Sequence, residues 1–319
     1  MNLTRRALIS SMAAAPLLGS AAWADTPLRV VATTGMVADA ARAIGGGDAV
    51  VTALMGAGVD PHAYRQTRSD IVAMTRADLV LSNGLYLEAQ LESFLETLAR
   101  RTTVVAVAEG TPKSELIRHA DYAGKADPHI WMVPGLWQHA VRETLVAMQQ
   151  AAPEKADRFA VNAQAYLSEI ETVGNYARDT LAMIPEQARV LVTAHDAFAY
   201  FGQAYGFEVE GIQGISTESE AGLQRIGTLV DMLVTRKISA VFVESSVSDR
   251  NIRALIEGAA ARGHTVSIGG ELFSDAMGMP GTYEGTYVGM IDHNSTVIAR
   301  ALGADVPPQG MNGKLAAGL

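Results

Sequence analysis

The chain has 319 residues, 49% of them hydrophobic and only 18% charged, a balance that excludes disorder as its organising state. Its formal charge of −9 argues against nucleic acid as a partner and suits a protein whose overall field draws cations weakly. Cysteine is absent from the sequence, so disulfides, thiolate metal sites, a cysteine nucleophile and a lipid-anchored cysteine are not expected.

Residues 1–24 read as a signal peptide. Arg5 and Arg6 form a charged start, Ala7 to Ala22 is apolar or small, and Ala22-Trp23-Ala24 resembles a cleavage site. Thr4-Arg5-Arg6-Ala7-Leu8 also fits a twin-arginine signal, and both export routes stay open. Loss of the two arginines takes the formal charge from −9 to about −11. The expected product is soluble in the periplasm. No later apolar run reaches the roughly 20 residues of a membrane helix, so any membrane partner is expected to be a separate chain.

About 295 residues remain, long for one core and natural for two lobes. In the first half, strand-like runs fall at Leu28 to Thr33, Val50 to Met55, Ala77 to Leu81 and Thr103 to Ala108, with helix-period stretches at Met36 to Ile44 and Leu85 to Leu98. Continuous apolar strands alternating with helices predict an α/β fold whose mostly parallel sheets are flanked by helices. Pro153 to Ile184 has apolar positions at helical spacing and predicts one long connecting helix, unless Gly174 breaks it into two. The second half repeats the alternation, with strands at Ala188 to Thr193, Phe207 to Ile212, Ile238 to Val243 and His264 to Ile268. Its helices are expected at Ala221 to Arg236 and Asp249 to Arg262. The expected organisation is an N-terminal α/β lobe at 25–152, a rigid connecting helix at 153–184 and a C-terminal α/β lobe at 185–319.

Four polar residues follow apolar strand-like runs: His62 in Val-Asp-Pro-His-Ala-Tyr, His129 in Asp-Pro-His-Ile-Trp, His195 in Thr-Ala-His-Asp-Ala-Phe and Asp275 in Leu-Phe-Ser-Asp-Ala-Met-Gly. Three imidazoles and a carboxylate make a ligand set for a divalent transition ion. Two come from each lobe, and ligands of open α/β sheets bind beyond the carboxyl ends of the strands, so the site is expected in the interlobe cleft. Asp60-Pro61 and Asp127-Pro128 stiffen the approach to two of the imidazoles, and either aspartate is placed to accept a hydrogen bond from the ring nitrogen turned away from the ion. A single loop histidine is usually structural, and His119, His139, His264 and His293 are read that way. Glu244 is either a cleft carboxylate or part of a helix-capping segment with Ser246 and Ser248. No HExxH run, Walker loop, Gly-x-Ser-x-Gly elbow or EF-hand loop occurs.

With these motifs in place, the sequence resembles the zinc and manganese substrate-binding proteins of bacterial ABC transporters over nearly the whole chain that follows the signal. The resemblance is carried by Gly58 to His62, Asp127 to Trp131, Thr193 to Phe198, Gly214 to Glu218, Val243 to Ser246 and Leu272 to Asp275. It implies two α/β lobes, a rigid backbone helix and a metal held by His62, His129, His195 and Asp275. It further implies a monomeric, non-enzymatic carrier that delivers its ion to a membrane permease served by a separate ATPase. Members with manganese often have glutamate where His195 stands here; members dedicated to zinc commonly carry a His-rich loop before the second ligand, and residues 110–127 contain only His119. Imidazole suits zinc, so Zn2+ is favoured over Mn2+ as the transported ligand. Two other readings stay open: a secreted zinc metallohydrolase with Asp275 or Glu244 as base, and a protein of the same fold that binds a chelated metal.

Overall fold

The computed structural model describes residues 26–118 and 124–316; the signal segment and His119 lie outside them. The N-terminal lobe is built on a parallel sheet of β1 (Leu28–Ala32), β2 (Ala49–Ala53), β3 (Leu79–Ser82) and β4 (Thr103–Ala106), in the order β2-β1-β3-β4. Its register pairs Val30 with Val51 and Leu79, and Leu81 with Val105. Both faces are covered, as continuous apolar strands require. Val30, Ala32, Leu79 and Leu81 pack with α1 (Gly35–Gly45) and α4 (Pro134–Ala151). Val31 and Val80 point the other way, against Met74 of α2 (Arg68–Arg76) and Leu95 and Leu98 of α3 (Glu92–Leu98).

The long helix α5 (Ala156–Ala182) follows a short turn at Pro153–Lys155 and runs unbroken through Gly174. Twenty-seven residues at 1.5 Å each make it about 40 Å long. Gly174 is where α5 meets the start of α4: an added Cβ would lie 3.1 Å from Pro134 Cβ, so the glycine permits a close helix crossing.

The C-terminal lobe contains two parallel strand pairs, β5 (Val190–Thr193) with β6 (Glu208–Gly211) and β7 (Ala240–Glu244) with β8 (Ser267–Leu272). Helices α6 (Ala199–Tyr205), α7 (Leu223–Arg236), α8 (Arg250–Ala260) and α9 (Tyr287–Ala301) surround them. Val192, Val241, Leu229, Leu233 and Leu255 form a local core. The largest core is shared: it runs from β1 and α1 through Phe159, Ile170 and Val173 of α5 to Phe242 and to Met290, Ile291 and Ile298 of α9. Among the described residues no helix is long and apolar enough to cross a membrane.

Two expected elements differ. The helix expected from Leu85 begins only at Glu92, because Leu85 and Tyr86 have positive φ (54° and 70°) and the chain turns there. That turn sends Glu88 into the interior, where it accepts hydrogen bonds from the Thr33 hydroxyl and the Asn83 and Gly84 amides. The last strand lies at Ser267–Leu272 rather than at His264 to Ile268. The polar Ser267 and the pair Gly269-Gly270 interrupt its apolar pattern in the sequence.

Candidate metal centre

His195 and Asp275 stand two and three residues beyond the ends of β5 and β8, as expected of groups placed by strand ends. His62 comes nine residues after β2, in the middle of a turn at residues 61–63. His129 departs from the expected placement: no strand precedes it directly, and it leads instead into a short turn at Ile130–Met132 ahead of α4. Its loop is fixed by Tyr200 from the other lobe, whose hydroxyl accepts the Ile117 N–H at 3.1 Å and donates to the Asp127 carbonyl at 2.9 Å.

The structure brings all four residues together, each at most 2% exposed, with ligand atoms within 4.8 Å of one another. Every imidazole turns Nε2 inward. His62 Nε2 lies 3.3 Å from His129 Nε2 and 3.8 Å from Asp275 Oδ2; Asp275 Oδ1 is 3.4 Å from His129 Nε2, and Oδ2 is 3.1 Å from His195 Nε2. Zinc bonds of about 2.0–2.2 Å arranged tetrahedrally put neighbouring donor atoms about 3.3–3.6 Å apart. The observed separations scatter around that edge length.

The outward nitrogens determine which lone pairs face the centre. His129 Nδ1–H donates to Asp127 Oδ1 at 2.7 Å, and the same oxygen accepts the His129 backbone N–H at 2.9 Å. His195 Nδ1–H donates to Glu244 Oε2 at 2.5 Å, while Glu244 Oε1 accepts the His195 backbone N–H at 2.9 Å. Each carboxylate thus fixes one tautomer and leaves Nε2 as a lone pair aimed inward. Asp60 does not act on its imidazole: Oδ1 accepts the His62 backbone N–H at 2.9 Å and Oδ2 accepts the Thr217 hydroxyl at 2.6 Å. His62 Nδ1, His195 Nε2 and both oxygens of Asp275 have no hydrogen-bond partner among the described residues. Buried polar atoms are rarely left so, and three of these, His195 Nε2 and the two Asp275 oxygens, converge on the centre, which fits a cation.

The electrostatics point the same way. Burial pushes His62 down to about 3, opposed by Asp275 and reinforced by the neighbouring imidazoles. Burial also works against charging His129, yet Asp127 and Asp275 raise it to about 9. For His195, burial is again outweighed by Glu244 and Asp275, and the ring rises well above its usual range. Burial would raise Asp275, but His195 and His129 hold it well below the usual carboxylate range. The buried Asp275 carboxylate thus favours positive charge beside it, while the His62 ring stays neutral.

Two further contacts hold the loop that carries Asp275. Trp131 Nε1–H donates across the cleft to the Ser274 carbonyl at 2.7 Å, next to Asp275. Asn294 of α9 grips Phe273 on both sides, accepting its N–H at 2.9 Å and donating to its carbonyl at 2.8 Å. Glu244 belongs behind His195 and not in the cleft, while Ser246 pairs with the Ser274 hydroxyl instead of capping a helix. Its position as the last residue of an apolar strand was the available signal for Glu244. The remaining described histidines are structural: His264 and His293 contact the carbonyls of Ile238 and Glu271, and His139 lies beside Glu115.

Two α/β lobes on a common backbone helix, with buried donors meeting from both, define a cleft-type substrate-binding protein. A family model described as zinc-uptake complex component A, periplasmic, matches residues 30–301. The chain belongs to this family, the substrate-binding proteins of metal ABC transporters. It is 50% identical over 280 residues to the manganese-binding lipoprotein MntA of Bacillus subtilis, covering 88% of this chain and 91% of that one. It is 31% identical to the iron-binding protein YfeA of Yersinia pestis, over 94% and 97% of the two chains. The solved structure of the periplasmic zinc-binding protein TroA from Treponema pallidum superposes with a TM-score of 0.84 at 44% identity, covering 86% of this chain and 99% of that one. These relatives carry three different metals in their names.

Proposed function

We propose that this protein is exported to the periplasm, where it works as a soluble monomer and not as an enzyme. It captures one divalent transition ion with His62, His129, His195 and Asp275 and passes it to an ABC-type permease with its own ATPase. The observation that carries this reading is the convergence of three inward Nε2 atoms on a carboxylate that has no hydrogen-bond partner among the described residues. A hydrolase needs an open metal position and a free base. In this reading Asp275 serves as a fourth ligand, and Asp127 and Glu244 are both engaged by imidazoles.

Zinc is the favoured cargo, since three nitrogens and one oxygen at tetrahedral spacing match it and the affinity order of such sites places it above manganese and iron. Manganese is a second reading, supported by one observation: Asp275 turns both oxygens toward the imidazoles, one within 3.4 Å of His129 and the other within 3.1 Å of His195, so a fifth donor is at hand. The test is metal content and affinity of the wild type and of His62→Ala, His129→Ala, His195→Ala and Asp275→Ala, with zinc and manganese in competition. One ion per wild-type chain, zinc displacing manganese and a loss of at least about tenfold in each variant are expected. Unchanged stoichiometry and affinity in all four variants would remove the assignment.

A further inference from the structure

The three imidazoles are not held alike. His129 and His195 are each fixed at ring and main chain by one carboxylate of their own lobe. Among the described residues His62 Nδ1 has no hydrogen-bond partner, and its backbone N–H is held by Asp60. Asp60 in turn is held from the opposite lobe by the Thr217 hydroxyl, at 2.6 Å a short bond of the kind made to carboxylates. Thr217 belongs to the segment 212–222 between β6 and α7, whose Glu218 also contacts Gln90 of the N-terminal lobe. A pocket of about 640 Å3 opens beside this segment, lined by it together with Asp196, Val209, Gly211 and Arg225.

We propose that Thr217 is a positioning residue for His62: reaching across the cleft to Asp60, it holds the His62 imidazole on the ion, and His62 is the first ligand to let go on release. The inference rests on the metal-site reading above. Pro61 makes the connection stiff, because the residue before a proline is confined to extended conformations and Asp60 cannot shift without carrying His62. His129 and His195, tied within their own lobes, stay in place while His62 departs.

The experiment uses the full chain loaded with one zinc ion and follows zinc release into excess chelator by stopped flow. Thr217→Val removes the hydroxyl at nearly constant shape, and Thr217→Ser keeps it. Thr217→Val should release zinc about tenfold faster, the scale of one hydrogen bond to a charged group, while Thr217→Ser stays within about twofold of wild type. The metal-free Thr217→Val protein should melt no more than about 5 °C below wild type, the cost of one part-buried hydrogen bond in a chain of this length. In a His62→Ala background the valine change should leave release unaltered, and in a His195→Ala background it should still accelerate it. Equal acceleration with and without His62, no acceleration at all, or a melting temperature lowered by more than about 10 °C overturns the proposal. A wild type that takes up no zinc defeats the metal-site reading as well, whereas a zinc-binding wild type whose release ignores Thr217 defeats this inference alone.

Discussion

Glu244→Gln is the substitution that best isolates what lies behind a ligand. Glu244 accepts two hydrogen bonds, from His195 Nδ1–H at 2.5 Å and from the His195 backbone N–H at 2.9 Å, at a fully buried position of the ring. Glutamine has nearly the same shape but offers one oxygen and one NH2 group, so it can satisfy only one of the two donors. If its oxygen stays with the backbone, the NH2 group faces Nδ1 and favours the tautomer with the proton on Nε2, where the ligand lone pair should be. If its oxygen turns to the ring, a buried backbone N–H loses its partner. Either way a buried hydrogen bond to a charged group is lost, worth about 1.5–3 kcal/mol. That range corresponds to a tenfold to hundredfold weaker zinc complex, at about 1.4 kcal/mol per factor of ten. Chelator competition at fixed pH gives the affinity, with thermal melting of the metal-free form as the control for folding. Zinc affinity within threefold of wild type would refute the reasoning that Glu244 sets the tautomer of His195.

Protons and metal compete for the same lone pairs. Because His129 is raised to about 9, the metal-free site still holds a proton there at neutral pH, and zinc uptake at pH 7 should release it; calorimetry in buffers of different ionisation enthalpy counts the protons. The apparent affinity should therefore still rise between pH 7 and 9, and a flat profile across that interval contradicts the shift. The metal-free protein should behave oppositely: a folded pKa raised above 6.5 contributes stability in full below 6.5, lost as pH rises through about 9, visible as a falling melting temperature. Gly211→Ala should weaken metal binding more than it lowers stability, because the new Cβ would lie 2.8 Å from the His195 carbonyl carbon and 2.6 Å from the Asp196 nitrogen. A crystal structure with His195 displaced by a few tenths of an ångström checks the cause, and wild-type zinc affinity would contradict it.

The elements that sequence patterning captured are those whose signal is local. Val30 to Ala32 and Leu79 to Leu81 are apolar at every position because both sheet faces are covered, and that run is readable without a structure. The four candidate ligands, which the structure brings together, stood out because each sits in a polar segment against an apolar background. What stayed hidden depends on contacts between distant residues. Glu244 looks like an ordinary strand end until β5 is laid against β7. Asp60 and Asp127 occupy the same Asp-Pro-His motif, yet only Asp127 reaches its ring, and nothing in the motif distinguishes them. The turn at Leu85 and Tyr86 is equally silent, since helix-forming residues there are overruled by the need of the buried Asn83 and Gly84 amides for the Glu88 carboxylate.

The apolar core that passes without interruption from β1 through α5 to α9 has a consequence for signalling. Opening the two halves like a jaw would mean exposing part of that core, at about 25 cal/mol for each Å2 of apolar surface returned to water. A receptor built this way can report its cargo only through small, local changes at its surface. For the import reading, the permease must tell a loaded chain from an empty one by the disposition of a short loop such as 212–222 and not by a change of overall shape. The discrimination is then a matter of a few side chains at the rim of the cleft, and an empty carrier that happens to hold those side chains in the loaded arrangement would compete for the transporter.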